Sequence, residues 1–142
     1  MLQSRCSPEH GLATNALIFA ILQQTIEQME HLDLKWEEFE RIEMRVGTIL
    51  NAYDFPEARK PAYQLTVDFG NDIGIRKTSA QITKRYQKHE LIGKQIIAVV
   101  NFPPKQIGKF RSECLILGSV ADDNDIVLLA PDISVENGLR IG

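Results

Sequence analysis

The segment Gln95–Gly118, QIIAVVNFPPKQIGKFRSECLILG, decides the fold. Two apolar runs, Gln95–Val100 and Cys114–Leu117, enclose a segment unlike either. Both are short for helices and rich in Ile, Val and Leu, the composition of buried strands. Pro103 and Pro104 fix φ and remove backbone donors, so the first strand stops before them. Gly108 permits a turn, and Asn101, Phe102, Lys105, Lys109, Phe110 and Arg111 make the connection basic and aromatic. The spacing predicts a stiffened cationic loop held by two core strands, and loops on rigid strands commonly carry function. A long connection that only joins its strands is the alternative.

Upstream, Gln81–Leu91 (QITKRYQKHEL) predicts a helix, with Gly93 ending the excursion. Ile73–Ala80 predicts a strand with Arg76 and Thr78 on one face and Lys77 and Ser79 on the other. Before it, Tyr63, Leu65, Val67 and Phe69 share one face of another strand, closed by a turn at Gly70, Asn71 and Asp72. In Ile42–Ala52, the residues Ile42, Met44, Val46, Thr48 and Leu50 alternate with the rest, and Gly47 suggests a bulge or sharp bend. Downstream, the acidic Asp122, Asp123 and Asp125 precede an apolar strand at Ile126–Ala130, and Asn137-Gly138 reads as a turn. A mainly β chain of five strands, with a helix between the third and fourth, has the order of an oligonucleotide/oligosaccharide-binding (OB) barrel. An open meander or a small sandwich fits the same pattern. The strand at Ile126–Ala130 exceeds the five, and an unpaired edge is a liability, so it is expected to find its partner in a homodimer.

Residues 1–41 read as an N-terminal extension and residues 42–142 as the barrel domain. In the extension, Leu12, Ala16, Phe19, Leu22, Ile26 and Met29 recur at helical spacing, with Ser7 as cap and Pro8 at the first helical position. Arg5 before the run Ala16–Leu22 resembles a signal peptide, but the run is short and no A-x-A-like site follows. Met29 is an alternative start, so residues 1–28 are either an appended helix or an upstream extension, dispensable for fold and binding in either case. Lys35–Arg41 predicts a short helix with Trp36 and Phe39 on one side.

At 142 residues the chain is expected to hold one core, and no apolar run reaches the length of a membrane span. Cys6 and Cys114 form no metal or redox spacing, so a reducing cytoplasm is the expected location. The net charge of −3 hides an asymmetry. Residues 59–113 carry eleven Lys/Arg against four Asp/Glu, while residues 1–58 carry four against ten and residues 114–142 one against five. A basic block between acidic ends can attract an anionic partner locally, or can be an ordinary solvated face. His10, His31 and His89 have no ligand-type spacing, and no nucleophile elbow, dinucleotide fingerprint or phosphate loop occurs. Binding without catalysis, cofactor or metal is the expectation.

Asp54–Pro61 (DFPEARKP) and Asn101–Lys105 (NFPPK) each join an aromatic to proline and cations. Phe55 and Phe102 are therefore either anchors or nucleobase platforms, or plugs of the barrel ends. Arg59, Lys60 and Lys105 suit phosphate or the carboxylate and carbonyl groups of a peptide. At Val46–Ile49 (VGTI), Asp54–Gly70 (DFPEARKPAYQLTVDFG), Ser79–Thr83 (SAQIT) and Leu91–Gly118, the chain resembles the CsaA family, export-related secretion chaperones with a tRNA-binding-domain OB fold. The resemblance runs from Ile42 to about Arg140. It implies a homodimer that binds unfolded or signal-bearing preproteins and assists the Sec translocase motor SecA. Relatives fused to tRNA synthetases imply the alternative, tRNA in a basic groove. Where many of those carry a His-Pro-Ala-Asp-like loop, this chain has Phe55-Pro56-Glu57-Ala58-Arg59, which favours the chaperone branch. On this reading Phe55, Tyr63, Phe102 and Phe110 offer apolar contacts to a peptide or RNA. Arg59, Lys60, Arg76, Lys77, Lys105 and Lys109 offer ionic ones, and Ser79, Gln81 and Asn101 hydrogen bonds. Alternation alone does not tell which strand face lines the groove.

Overall fold

A computed structural model of the chain describes residues 3–30 and 32–142. The side chains of residues 3–13 and 30 lie outside the description, and with them the expected roles of Cys6, His10, Leu12 and the Ser7 side chain; so does His31. The chain forms two compact units, Met1–Phe39 and Glu40–Gly142.

In the first unit, helix α1 spans Gln3–Glu30, so it is already under way before Ser7 and Pro8, which were expected to start it. Extending an existing helix costs far less than nucleating one, and a single proline removes only one ladder bond. Leu17, Ile18, Phe19, Ile21, Leu22, Ile26 and Met29 are all exposed on it. Helix α2 spans Trp36–Glu40, and the Trp36 and Phe39 rings lie with centroids 5.7 Å apart, on one side as the spacing predicts.

The second unit is a five-stranded, nearly closed OB barrel. Its strands are β1 (Met44–Asp54), β2 (Tyr63–Asp68), β3 (Ile75–Ala80), β4 (Gln95–Val99) and, after an intervening hairpin, β7 (Leu115–Ile116). They lie in the order β3-β2-β1-β4-β7, all neighbours antiparallel. The long β1 is shared: Met44–Thr48 pair with β4, and Thr48–Asp54 with β2. The edge of β1 that β2 leaves free is covered by the C-terminal segment. There Val46 N–H donates to the Leu139 carbonyl (3.0 Å) and Gly138 N–H to the Val46 carbonyl (2.7 Å).

Of the bulge or sharp bend expected at Gly47, the bulge does not fall at that residue. The register slips instead between Ile49 and Asn51. A Cβ on Gly47 would stand 2.6 Å from Val67 and 2.7 Å from the Phe69 ring, so only glycine lets these side chains cross the strand. The expected facing is also corrected: Val46 and Ile49 are both fully buried, while Thr48 and Leu50 are only partly so. Ile49, Leu65, Val67, Phe69, Ile82, Leu91, Ile96 and Ala98 form the core with Ala80 and Cys114.

Three further expectations are corrected. The helix expected over Gln81–Leu91 shrinks to α3, Lys88–Leu91. Ile82 and Tyr86 share a helical face, but Leu91 lies five residues on, off that face, so one continuous helix could not bury all three. The Glu90 carboxylate accepts the Gln87 N–H (3.1 Å) and starts the short helix instead. The expected loop after Pro104 is an ordered hairpin, β5 (Lys105–Ile107) and β6 (Phe110–Ser112), turning at Gly108, whose φ is +60°. Finally, the apolar run after the acidic turn is not an unpaired edge. Strands β8 (Gly118–Ala121) and β9 (Asp125–Leu128) pair as a hairpin, and Ile126 and Leu128 pack against the barrel's own core. Arg85 clasps Asp125 with both guanidinium bonds, and this hydrogen bonding holds the Asp125 carboxyl below its ordinary pKa.

Placing a methyl group on Gly47 should destabilise the barrel by about 1–3 kcal/mol, the usual cost of overpacking. Gly47→Ala should lower the denaturant midpoint accordingly; an unchanged midpoint would show that Phe69 is free to move aside.

Candidate binding groove

The site forms where the barrel closes most loosely. β3 is the outermost strand of its sheet, with β2 on one side. Its other side meets residues 112–114 largely through side chains. Glu113 N–H donates to the Lys77 carbonyl (2.7 Å), while Lys77 N–H donates to Glu113 Oε2 (3.2 Å). The buried Thr78 hydroxyl donates to the Cys114 carbonyl (2.7 Å), and Ser79 N–H donates to Ser112 Oγ (3.3 Å). Beyond Ser79 this stitching stops among the described residues, and a cleft opens between β3 and the β5–β6 hairpin.

The cleft has two cavities, of about 540 and 470 Å3, that share Ser79, Gln81, Lys105 and Ile107 in their walls. Arg59, Lys60 and Lys105 ring the first, with Glu57 the one carboxylate lining either cavity among the described residues. None of these three cations belongs to an ion pair found among the described residues. The second cavity is floored by Ile82, Leu115, Ile116, Ile126 and Leu128 together with Cys114. Burial pushes the Cys114 thiol up to about 11, against smaller opposing effects of Thr78 and Arg76. At neutral pH it is an uncharged part of the apolar floor. No aromatic ring lines either cavity among the described residues.

Of the residues expected from the sequence, the structure brings Arg59, Lys60, Ser79, Gln81 and Lys105 together in this cleft. Others lie elsewhere. Phe55 is 5% exposed and packs edge-on against Phe110 at 5.2 Å, so its ring is buried instead of facing solvent. Tyr63 is half-buried and donates its hydroxyl to the Tyr86 carbonyl (2.8 Å). Asn101 accepts the Glu43 N–H (3.0 Å) and donates to the Arg41 carbonyl (2.7 Å), tying down the start of β1. Phe102 is 56% exposed but outside the cleft lining, as are Arg76, Lys77 and Lys109. Sequence reasoning missed the floor. Ile107, a lone aliphatic amid Lys105, Lys109 and Arg111, was the available signal; Leu115, Ile116, Ile126 and Leu128 were indistinguishable from core.

The fold and the cleft together define an OB barrel with a cation-rimmed, aliphatic-floored cleft. The family model described as "Putative tRNA binding domain" matches residues 44–140. The crystal structure of chaperone CsaA from Bacillus anthracis is 48% identical, with a TM-score of 0.74, covering 78% of this chain and 99% of that one. That of the CsaA chaperone protein from Picrophilus torridus is 51% identical, with a TM-score of 0.73, covering 78% and 100%. A methionine–tRNA ligase of Thermococcus onnurineus is 35% identical over 109 residues, 76% of this chain. The match spans only 14% of that ligase's length. The chain belongs to the tRNA-binding-domain family of OB barrels and, within it, to the CsaA chaperones.

The buried thiol gives the site a pH signature. Because its folded pKa of about 11 lies above the ordinary 9.0, the unfolded chain releases this proton first as pH rises. The stability it contributes is intact below about pH 9 and lost as pH climbs towards about 11. Denaturant titrations across that window should show the wild-type protein losing more stability than Cys114→Ala. Equal losses would mean that water reaches the thiol.

Proposed function

We propose that the chain is a chaperone that holds unfolded or signal-bearing preproteins in an extended form for Sec-dependent secretion. It acts in the cytoplasm as a homodimer and passes its clients to the SecA motor. The observation that carries the peptide reading is the continuity of the cleft. Charged groups at its rim and aliphatic side chains on its floor share walls at Ser79, Gln81, Lys105 and Ile107. An extended polypeptide offers both chemistries within a few residues. Arg59, Lys60 and Lys105 would hold carboxylate or carbonyl oxygens, while the floor takes apolar side chains.

Dimerisation is supported by the β8–β9 hairpin, where Val127 and Leu129 are exposed on the face opposite Ile126 and Leu128. Neighbouring apolar side chains of this kind suit a subunit contact. Sedimentation equilibrium reads this directly, and a monomer at micromolar concentration would remove the dimer from the proposal.

tRNA is the second reading, favoured by the family match and by three cleft cations free of ion pairs among the described residues. Against it stands the lining. Single-stranded nucleic acid is commonly gripped by stacking bases on aromatic rings, and this cleft presents aliphatic ones. Binding to a signal-type peptide and to bulk tRNA across a salt series separates the two. Peptide binding should weaken little between ~50 and ~200 mM salt. A tRNA complex neutralising about five phosphates would weaken by tens- to thousands-fold. Tight binding to tRNA alone, lost at moderate salt, would make the second reading the right one.

A further inference from the structure

The backbone of β3 carries information that the side chains of the cleft do not. Lys77 directs both its N–H and its C=O towards Glu113, and Ser79 its N–H towards Ser112. Alternation then assigns the backbone groups of Arg76, Thr78 and Ala80 to the ladder with β2, where they face Val67, Leu65 and Tyr63. Those of Lys77, Ser79 and the following Gln81 point to the outer edge. Lys77 and the Ser79 N–H are satisfied there. Among the described residues the Ser79 carbonyl meets only its neighbour's Thr78 hydroxyl, at 3.4 Å, and that hydroxyl is already committed to Cys114 at 2.7 Å. Gln81 makes no hydrogen bond among the described residues. Both cavities open beside this pair, since Ser79 and Gln81 line each of them.

We infer that an extended polypeptide joins the barrel as an added strand on the β3 edge at Ser79–Gln81, held by main-chain hydrogen bonds. The inference rests on the peptide reading above and specifies how the peptide is recognised. Backbone bonding is indifferent to sequence, which suits a binder of many unrelated chains. Selectivity then comes from alternation: residues bonded to the edge and residues between them point to opposite sides. One set faces the aliphatic floor of Ile116, Ile126 and Leu128. At the other end of the cleft, Arg59, Lys60 and Lys105 favour an acidic residue and repel a basic one. The class of segment selected is therefore an apolar, alternating stretch with an acidic flank, free of proline at the bonding positions. The positively charged start of a signal sequence would be left outside the cleft.

A synthetic peptide of alternating Leu and Ser with Glu at one end tests this without altering the protein. Two versions are compared with the parent, one N-methylated at every odd amide and the other at every even amide. Sliding the peptide by two residues preserves the parity, so shifts in register do not blur the result. Strand addition predicts that one version loses roughly tenfold or more in affinity while the other stays within about twofold of the parent. If both versions bind like the parent, or both lose equally, added-strand pairing is overturned while the peptide reading stands. If the parent peptide does not bind and bulk tRNA does, the peptide reading itself falls.

Discussion

The barrel depends on the contact between Gly47 and the side chains of Val67 and Phe69. β1 must serve β4 along its first half and β2 along its second, and the two halves must bend about a common core. The bend brings Phe69, fully buried, against the strand at the one position that has no Cβ. Any larger residue would force the sheet apart where β2 begins to pair. The same crossing fixes the C-terminal segment. A Cβ on Gly138 would stand 2.5 Å from the Phe69 carbonyl, so this tight approach lets the chain end cover the edge of β1's first half that β2 leaves free.

A barrel so firmly organised at β1 can be left loose at its far seam. β3 and residues 112–114 are joined by a few hydrogen bonds, several through the side chains of Glu113, Thr78 and Ser112. The seam ends in a cleft floored by side chains that also belong to, or pack against, the core. The proposed binding site therefore sits where strand pairing is incomplete. The prolines after Asn101 contribute by releasing the chain from β4, so that the β5–β6 hairpin forms the outer wall of the cleft.

Much of this was legible in the sequence where one residue type has one physical meaning. The alternation of Leu65, Val67 and Phe69, the double proline and the glycine at 108 each led to the observed element. The illegible parts have definable causes. Gly47 signalled an irregularity but not its kind, because close approach and bulge both call for glycine. Phe55 and Phe102 sit in similar aromatic-proline contexts, yet one is buried and the other exposed. Only the partner ring of Phe110 distinguishes them. Gln81–Leu91 has helical composition, but the placing of its three apolar residues permits one turn only. The strand at Asp125–Leu128 found its partner within its own chain, in β8, a pairing that no local pattern announces.

The central claim is that polypeptide is bound in the cleft between β3 and the β5–β6 hairpin. Backbone amide shift mapping, with an isotope-labelled protein titrated with a signal-type peptide, tests it most directly. Saturable shifts concentrated at Ser79, Gln81, Lys105, Ile107 and Leu115 are the predicted result. Shifts concentrated instead around Tyr86, Lys94 and Ile133, which line a separate pocket, would contradict it.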